Sequence, residues 1–201
     1  MKHTQSFPCI GVDEVGRGPL AGPVTVGIVV LYRKLPIGKL HGLKDSKKLS
    51  PKQRALWLEK INEWREKGYL SYVVVSKSAS MVDSKGISWC IQEAVKSGLN
   101  RICPASEKIF VKLDKGIKAP IEYAQTQYIK GDEKFVEIAL ASIVAKEHRD
   151  AYMRNIAKKY PHYGFDTNVG YGTKKHITAL KRVGLIPEHR KSFLRSLAKK
   201  E

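Results

Sequence analysis

The chain has 201 residues, with 37 Lys and Arg against 19 Asp and Glu, and a formal net charge of +18. That length suits one domain with a sizeable core. A hydrophobic share of 42%, with nine Tyr, five Phe and three Trp, excludes a disordered basic tail. A folded domain this basic points first to a polyanionic partner, usually nucleic acid. The excess is concentrated late in the chain, where residues 145–201 hold 14 basic and five acidic side chains.

Three cysteines, Cys9, Cys90 and Cys103, are odd in number and lack a C-x-x-C spacing. They suit neither a disulfide framework nor a zinc knuckle, so a reducing cytoplasm is the expected compartment. No H-E-x-x-H occurs among the six histidines, which excludes a zincin. Asp13-Glu14 come too early for a signal peptide, and no apolar run reaches the roughly 18 residues of a membrane span. No membrane partner is expected.

Phe7 to Val12 is a short apolar run ending in two acids and a glycine-rich turn. Val24 to Leu31 is apolar and β-branched, which predicts a buried strand paired with it as a hairpin. Ser50-Pro51 opens a helix as cap and first residue, with Trp57, Ile61 and Trp64 on its inner face and Gly68 closing it. Tyr69 to Ser76 reads as a strand. Ile87, Cys90, Ile91, Ala94 and Val95 predict an amphipathic helix that Gly98 stops. Lys108 to Leu113 is the next strand, with Asp114 at its end, and Ala124 to Ile129 is a weaker one. A long helix is expected from about Glu133 to Lys159, with Val136, Leu140, Ile143 and Val144 facing inward. Gly164 to Gly172 reads as a loop, followed by basic helices near Lys174–Val183 and Pro187–Lys199. The order predicts an α/β fold with a mixed sheet. Residues 1–160 are the expected core and residues 161–201 a basic helical cap, in one continuous domain.

Four acids recur at element ends: Asp13, Glu14, Asp114 and Asp132. Each alone also fits a plainer role. Asp13-Glu14 could be a polar strand exit, Asp114 a turn former, and Asp132 a helix cap. Together, in a chain of +18, they read as hard oxygen donors for Mg²⁺ or Mn²⁺. Two such ions roughly 4 Å apart clamp the attacking and leaving oxygens of a phosphodiester displacement. Gly16-Arg17-Gly18 is either a tight turn or a place where exposed backbone groups meet a ribose 2′-OH. Tyr171 lies between two glycines, where a large aromatic has little reason to pack inward.

The run Gly11-Val12-Asp13-Glu14-Val15-Gly16-Arg17-Gly18-Pro19-Leu20-Ala21-Gly22-Pro23 resembles the N-terminal signature of the type 2 ribonuclease H family in its bacterial form, ribonuclease HII. The likeness continues through Asp45-Ser46-Lys47-Lys48-Leu49 and Ala141-Ser142-Ile143-Val144-Ala145-Lys146 with Arg149-Asp150. It closes with Gly170-Tyr171-Gly172-Thr173 and His189-Arg190-Lys191-Ser192-Phe193. The resemblance implies a ribonuclease H-like fold, a mixed central sheet flanked by helices with a C-terminal helical segment over the substrate. It makes Asp13, Glu14, Asp114 and Asp132 the carboxylates that hold two Mg²⁺ or Mn²⁺ ions. The implied substrates are RNA–DNA hybrids and DNA duplexes containing single ribonucleotides. Cleavage is implied 5′ of the ribonucleotide, leaving 3′-OH and 5′-phosphate ends.

By the same resemblance, Gly16-Arg17-Gly18 senses the 2′-OH and Tyr171 stacks on the sugar after the ribonucleotide and contacts the 2′-OH. Lys47, Lys48, Lys146, Lys174, Lys175, Arg190 and Lys191 are candidate phosphate contacts, any one of which could merely be solvated, while Asp150 is read as a local helix partner of Lys146. Two positions depart from the family pattern. Lys115 precedes Gly116 where many members place Gly directly after the third carboxylate, and Gly86 replaces Asn in Val82-Asp83-Ser84-Lys85-Gly86-Ile87. The first bears on the loop beside the metal site, the second on a helix start. Ribonuclease HIII is the neighbouring reading, set aside because only 12 residues precede Asp13, and a monomer is expected. A catalytically silent binder of RNA–DNA hybrids is the alternative from another class, although a binder gains nothing from carboxylates placed against phosphate.

Overall fold

The computed structural model describes residues 8–36, 43, 49–103 and 109–198, with side chains in the last helix described to Leu194. Strands β1 (Cys9–Val15), β2 (Val24–Leu31), β3 (Leu70–Lys77), β4 (Phe110–Asp114) and β5 (Gln125–Tyr128) form one sheet in the order β3-β2-β1-β4-β5. β1 pairs antiparallel with β2 and parallel with β4, so the acidic end of β1 lies beside the end of β4 that carries Asp114. This is the mixed sheet that the element order predicts.

The eight residues of β2 are all buried because both faces of the sheet are covered. Ile10, Val12, Val26 and Ile28 point to one core together with α3 (Ile87–Ile102). Cys9, Val29 and Leu31 point to the other, shared with α1 (Pro51–Glu66) and α5 (Val136–Lys159). α5 rides very close to the sheet. A Cβ at Gly11 would lie 2.2 Å from the Glu137 carbonyl carbon, and one at Gly27 would lie 2.2 Å from the Ala141 oxygen. Gly27 is the cross-strand partner of Asp13, so this approach presses Asp13 beneath α5.

Local chemistry explains several boundaries. Ser50 and Gln53 cap α1 reciprocally, with Pro51 at the first position. Ser78 caps a further short helix, α2 (Ala79–Lys85), which ends at Gly86 with φ +82° before α3 begins. Gly98 does not stop α3, which continues to Ile102. Its bare Cα lets the helix settle on the sheet, where a Cβ would meet Ile28 Cδ1 at 2.5 Å.

The long helix expected from Glu133 is broken in two. α4 (Gly131–Lys134) ends at Phe135, which is extended, and α5 starts afterwards. The Phe135 ring lies 4.3 Å from that of Tyr128 and has Lys112 Nζ 4.5 Å above it, contacts that outweigh helix continuity. Asp132 is not the cap of this helix; it lies in the first turn, and Lys130 holds the cap position. The expected loop 164–172 contains α6 (Phe165–Asn168) and precedes α7 (Lys174–Val183). The last helix, α8 (Lys191–Ala198), begins at Lys191 and not Pro187, because the Asp83 carboxylate accepts from the Lys191 and Ser192 N–H groups at 2.8 and 2.9 Å. Among the described residues no helix is long and apolar enough to cross a membrane.

Candidate active site

A cleft of about 370 Å³ opens where β1 runs out of the sheet. Asp13, Glu14 and Asp114 line it together with Gly16, Arg17, Gly18, Ser142, Lys146, Tyr171 and Arg54. Residues far apart in sequence meet here because β1 and β4 are parallel neighbours and α5 crosses above them. Asp132 is buried and is not among the residues that line the cleft. The Asp114 carboxylate accepts the Gly131 N–H at 3.0 Å, which ties the end of β4 to the turn carrying Asp132.

Asp13 is 2% exposed, and its carboxylate accepts the Glu14 N–H at 2.8 Å and a hydrogen bond from Ser142. Burial, reinforced by the charges of Glu14 and Asp114, pushes its pKa up to about 8. Burial also raises Glu14; the Arg17 guanidinium opposes that shift and Asp114 adds to it. Asp13 Oδ2 and Glu14 Oε2 are buried without a hydrogen-bond partner. Such atoms are costly unless something else satisfies them. Hard oxygens with open lone pairs, crowded by like charge, fit a divalent cation. Among the described residues no three His, Cys, Asp or Glu side chains are gathered closely enough to hold a single ion, so the acids share a cleft without forming a closed coordination shell.

The turn after β1 is built on backbone strain that only glycine accepts easily. Gly16 has φ +88°, and a Cβ there would meet Arg149 Nε at 2.3 Å. Arg17 is exposed and donates to Glu14 Oε1 at 3.0 Å and to the Gly116 carbonyl at 3.4 Å. The Lys115 departure is absorbed at this point. Gly116 takes the positive φ one residue later, and Lys115 points to solvent. Beside this turn stands Tyr171, 46% exposed, with its Cε1 3.9 Å from where a Gly18 Cβ would lie.

The expected phosphate contacts separate into groups. Lys146 lines the cleft and donates to Asp150 Oδ1 at 2.8 Å, the helix pair read from their spacing. Lys174, Lys175 and Lys191 are exposed on the C-terminal segment. Lys47 and Lys48 lie outside the described residues. Arg190 is a correction. It is fully buried, and its guanidinium donates to the carbonyls of Gly22, Arg17 and Gly16 at 3.0, 3.1 and 2.6 Å, so it cannot meet a phosphate at the surface.

Arg54 and Ser142 were missed as cleft residues. Arg54 is held by Glu147 at 2.9 Å, Asp150 at 3.1 Å and the Leu49 carbonyl at 2.7 Å. Its two carboxylate partners lie more than ninety residues away, so no local motif marks it. Ser142 stands inside the Ala141–Lys146 run, and that run was the available signal.

Comparison with known proteins identifies the family. The family model described as ribonuclease HII matches residues 10–197. The ribonuclease HII of Staphylococcus carnosus is 43% identical over 183 residues, covering 91% of this chain and 66% of that protein. The ribonuclease HII of Helicobacter pylori is 41% identical over 186 residues, covering 92% of this chain and 90% of its own length. Among solved structures, one of a complex of PCNA with ribonuclease HII from Archaeoglobus fulgidus superposes with a TM-score of 0.75 at 25% identity, covering 92% of this chain and 94% of that one.

Proposed function

Since the chain belongs to the ribonuclease HII family of metal-dependent endoribonucleases, we propose that it hydrolyses the RNA strand of RNA–DNA hybrids and nicks duplex DNA 5′ of single embedded ribonucleotides. The observation that carries this reading is one cleft in which three carboxylates face a glycine turn, a lysine and an exposed tyrosine. Asp13, Glu14 and Asp114 would hold divalent cations, Mg²⁺ or Mn²⁺, with Asp132 completing the set. When bound, such ions would supply electrostatic stabilisation for a phosphodiester displacement that leaves 3′-OH and 5′-phosphate ends.

The chain's own groups do the selecting. The Gly16–Gly18 turn offers backbone groups at the cleft wall, and these recognise a ribose 2′-OH as both donor and acceptor. Tyr171 stacks on the sugar that follows the ribonucleotide. Lys146 has three ammonium protons and directs one to Asp150, so donors remain for a backbone phosphate. Exposed Lys174, Lys175 and Lys191 extend the phosphate track along the C-terminal segment.

A labelled RNA–DNA hybrid incubated with Mg²⁺ tests this reading. Wild type should cut the RNA strand internally, while EDTA or Asp13→Asn should abolish the cut. A protein that binds the hybrid tightly yet cleaves nothing in Mg²⁺ or Mn²⁺ is a silent binder, and the proposal fails.

A further inference from the structure

His176 and His189 form a buried pair, with their Nε2 atoms 3.0 Å apart. The outer nitrogens determine which protons the pair can carry. The Ile186 N–H donates to His189 Nδ1 at 2.9 Å, so that nitrogen is an acceptor and carries no proton. His189 therefore holds its proton on Nε2 and donates it to His176 Nε2. His176 must then carry its own proton on Nδ1, which donates to the Tyr171 carbonyl at 2.9 Å. The result is a one-directional chain from Ile186 through two neutral imidazoles to the backbone of Tyr171. A second proton on either ring would set N–H against N–H.

The surroundings favour neutral rings. Tyr163 and Phe165 pack edge-on or tilted against both imidazoles. The charged residues adjacent in sequence are Lys175, Glu188 and Arg190; Lys175 and Glu188 lie nearer the surface, and the Arg190 guanidinium is engaged by the carbonyls of Gly22, Arg17 and Gly16. Burial lowers the pKa of both histidines, and His189 falls to about 4.

The next residue reaches the glycine turn. Arg190 donates to the carbonyls of Gly16 and Arg17, and its backbone N–H donates to Leu20 at 2.8 Å. Ala21 and His189 form an isolated β-bridge, and the Gly170 carbonyl accepts from Leu20 and Ala21. The glycine turn and the Tyr171 loop are thus both referenced to the dipeptide His189-Arg190.

We propose that His189, His176 and Arg190 are positioning residues for ribonucleotide selection: the imidazole chain sets Tyr171, the guanidinium sets the Gly16–Arg17 carbonyls, and one dipeptide holds the two in register. This rests on the reading that those two elements meet the ribose. The role is distinct from phosphate binding, because none of the three groups reaches the surface.

The test has one readout that needs no catalysis. Nitrogen-15 NMR of the full chain at neutral pH should show His189 protonated only on Nε2 and His176 only on Nδ1. A cationic ring, or either opposite tautomer, overturns the proposal even if the enzyme is active. The second readout is the ratio of kcat/KM on a single-ribonucleotide duplex to that on a long hybrid. His189→Leu removes one donor, worth about 1.4 kcal/mol, and should lower that ratio about tenfold.

His189→Gln can place an amide N–H near the lost Nε2 and should restore most of the ratio. In a Tyr171→Ala background, His189→Leu should change the ratio no further, because the ring it positions is gone. Arg190→Lys, which cannot span three carbonyls, should lower the ratio as well. Equal losses on both substrates, or losses that add to Tyr171→Ala, would mean that the pair only supports the fold. Wild type failing to cut either substrate would instead defeat the functional reading and leave the NMR result standing.

Discussion

The Asp114 carboxylate accepts the Gly131 N–H at 3.0 Å, so one side chain serves both the cleft and the turn that carries Asp132. The two roles respond differently to substitution. Asp114→Asn keeps an acceptor oxygen for Gly131 and removes a charge that raises both Asp13 and Glu14. In EDTA this variant should melt at least as high as wild type, and it should gain less from added Mg²⁺, since ligands that bind only the folded state stabilise it. Its activity should be nearly lost. Asp114→Ala also loses the hydrogen bond, about 1 kcal/mol, and should melt below Asp114→Asn. A clearly lower melting temperature for Asp114→Asn in EDTA would mean that the charge itself is structural.

Gly27→Ala tests the close approach of α5. Its Cβ would enter the Ala141 carbonyl at 2.2 Å, and backbone cannot rotate away as a side chain can. We expect a loss of about 1–3 kcal/mol by denaturant titration, with reduced activity because Asp13 lies opposite Gly27. Unchanged stability and activity would show that α5 can shift without disturbing the site.

The sequence was most legible where one local signal suffices. Val24–Leu31, the Ser50-Pro51 cap and the position of Asp114 at a strand end all follow from pattern and spacing, whereas its parallel placement beside the end of β1 is seen only in the fold. Errors arose where a residue type has two opposite uses. Gly98 resembles a helix terminator but is a contact surface, and Arg190 resembles a phosphate ligand but is a buried clamp. Local sequence does not distinguish a cation facing solvent from one facing backbone carbonyls. The breaks at Phe135 and Lys191 come from Tyr128 and Asp83, partners that only the folded chain brings near.

Tyr171→Ala should impair cleavage at a single embedded ribonucleotide more than cleavage of a long hybrid. A hybrid offers many registers, and one ribonucleotide offers one. Tyr171→Phe keeps the ring, so retention of activity would assign its role to stacking. Equal losses on both substrates for Tyr171→Ala would remove the tyrosine from selection.

Salt should separate exposed from buried cations. Affinity should fall log-linearly with salt, with a slope of roughly 0.9 per neutralised phosphate on B-DNA. Lys174→Ala, exposed on α7, should reduce that slope by roughly 1 and leave the cleavage position unchanged. A slope identical to wild type would remove Lys174 from the phosphate track.

Acid should weaken the fold through the histidine pair. The unfolded chain takes up protons near 6.5, whereas folded His189 resists until about 4. The stabilisation is therefore complete above about pH 6.5 and is lost progressively as pH falls towards 4. Replacing His189 by Gln should flatten this part of the stability profile relative to wild type. Parallel profiles would mean that the pair does not titrate as a buried neutral unit.

The most direct measurement is end-mapping of the product from a DNA duplex that carries one ribonucleotide, incubated with Mg²⁺. The account predicts a single nick 5′ of the ribonucleotide, with 3′-OH and 5′-phosphate ends, lost in EDTA and in Asp13→Asn. A nick on the 3′ side, or an end bearing a 2′,3′-cyclic phosphate, would contradict it. Such an end forms when the ribose 2′-OH is the nucleophile and is not merely recognised by the cleft.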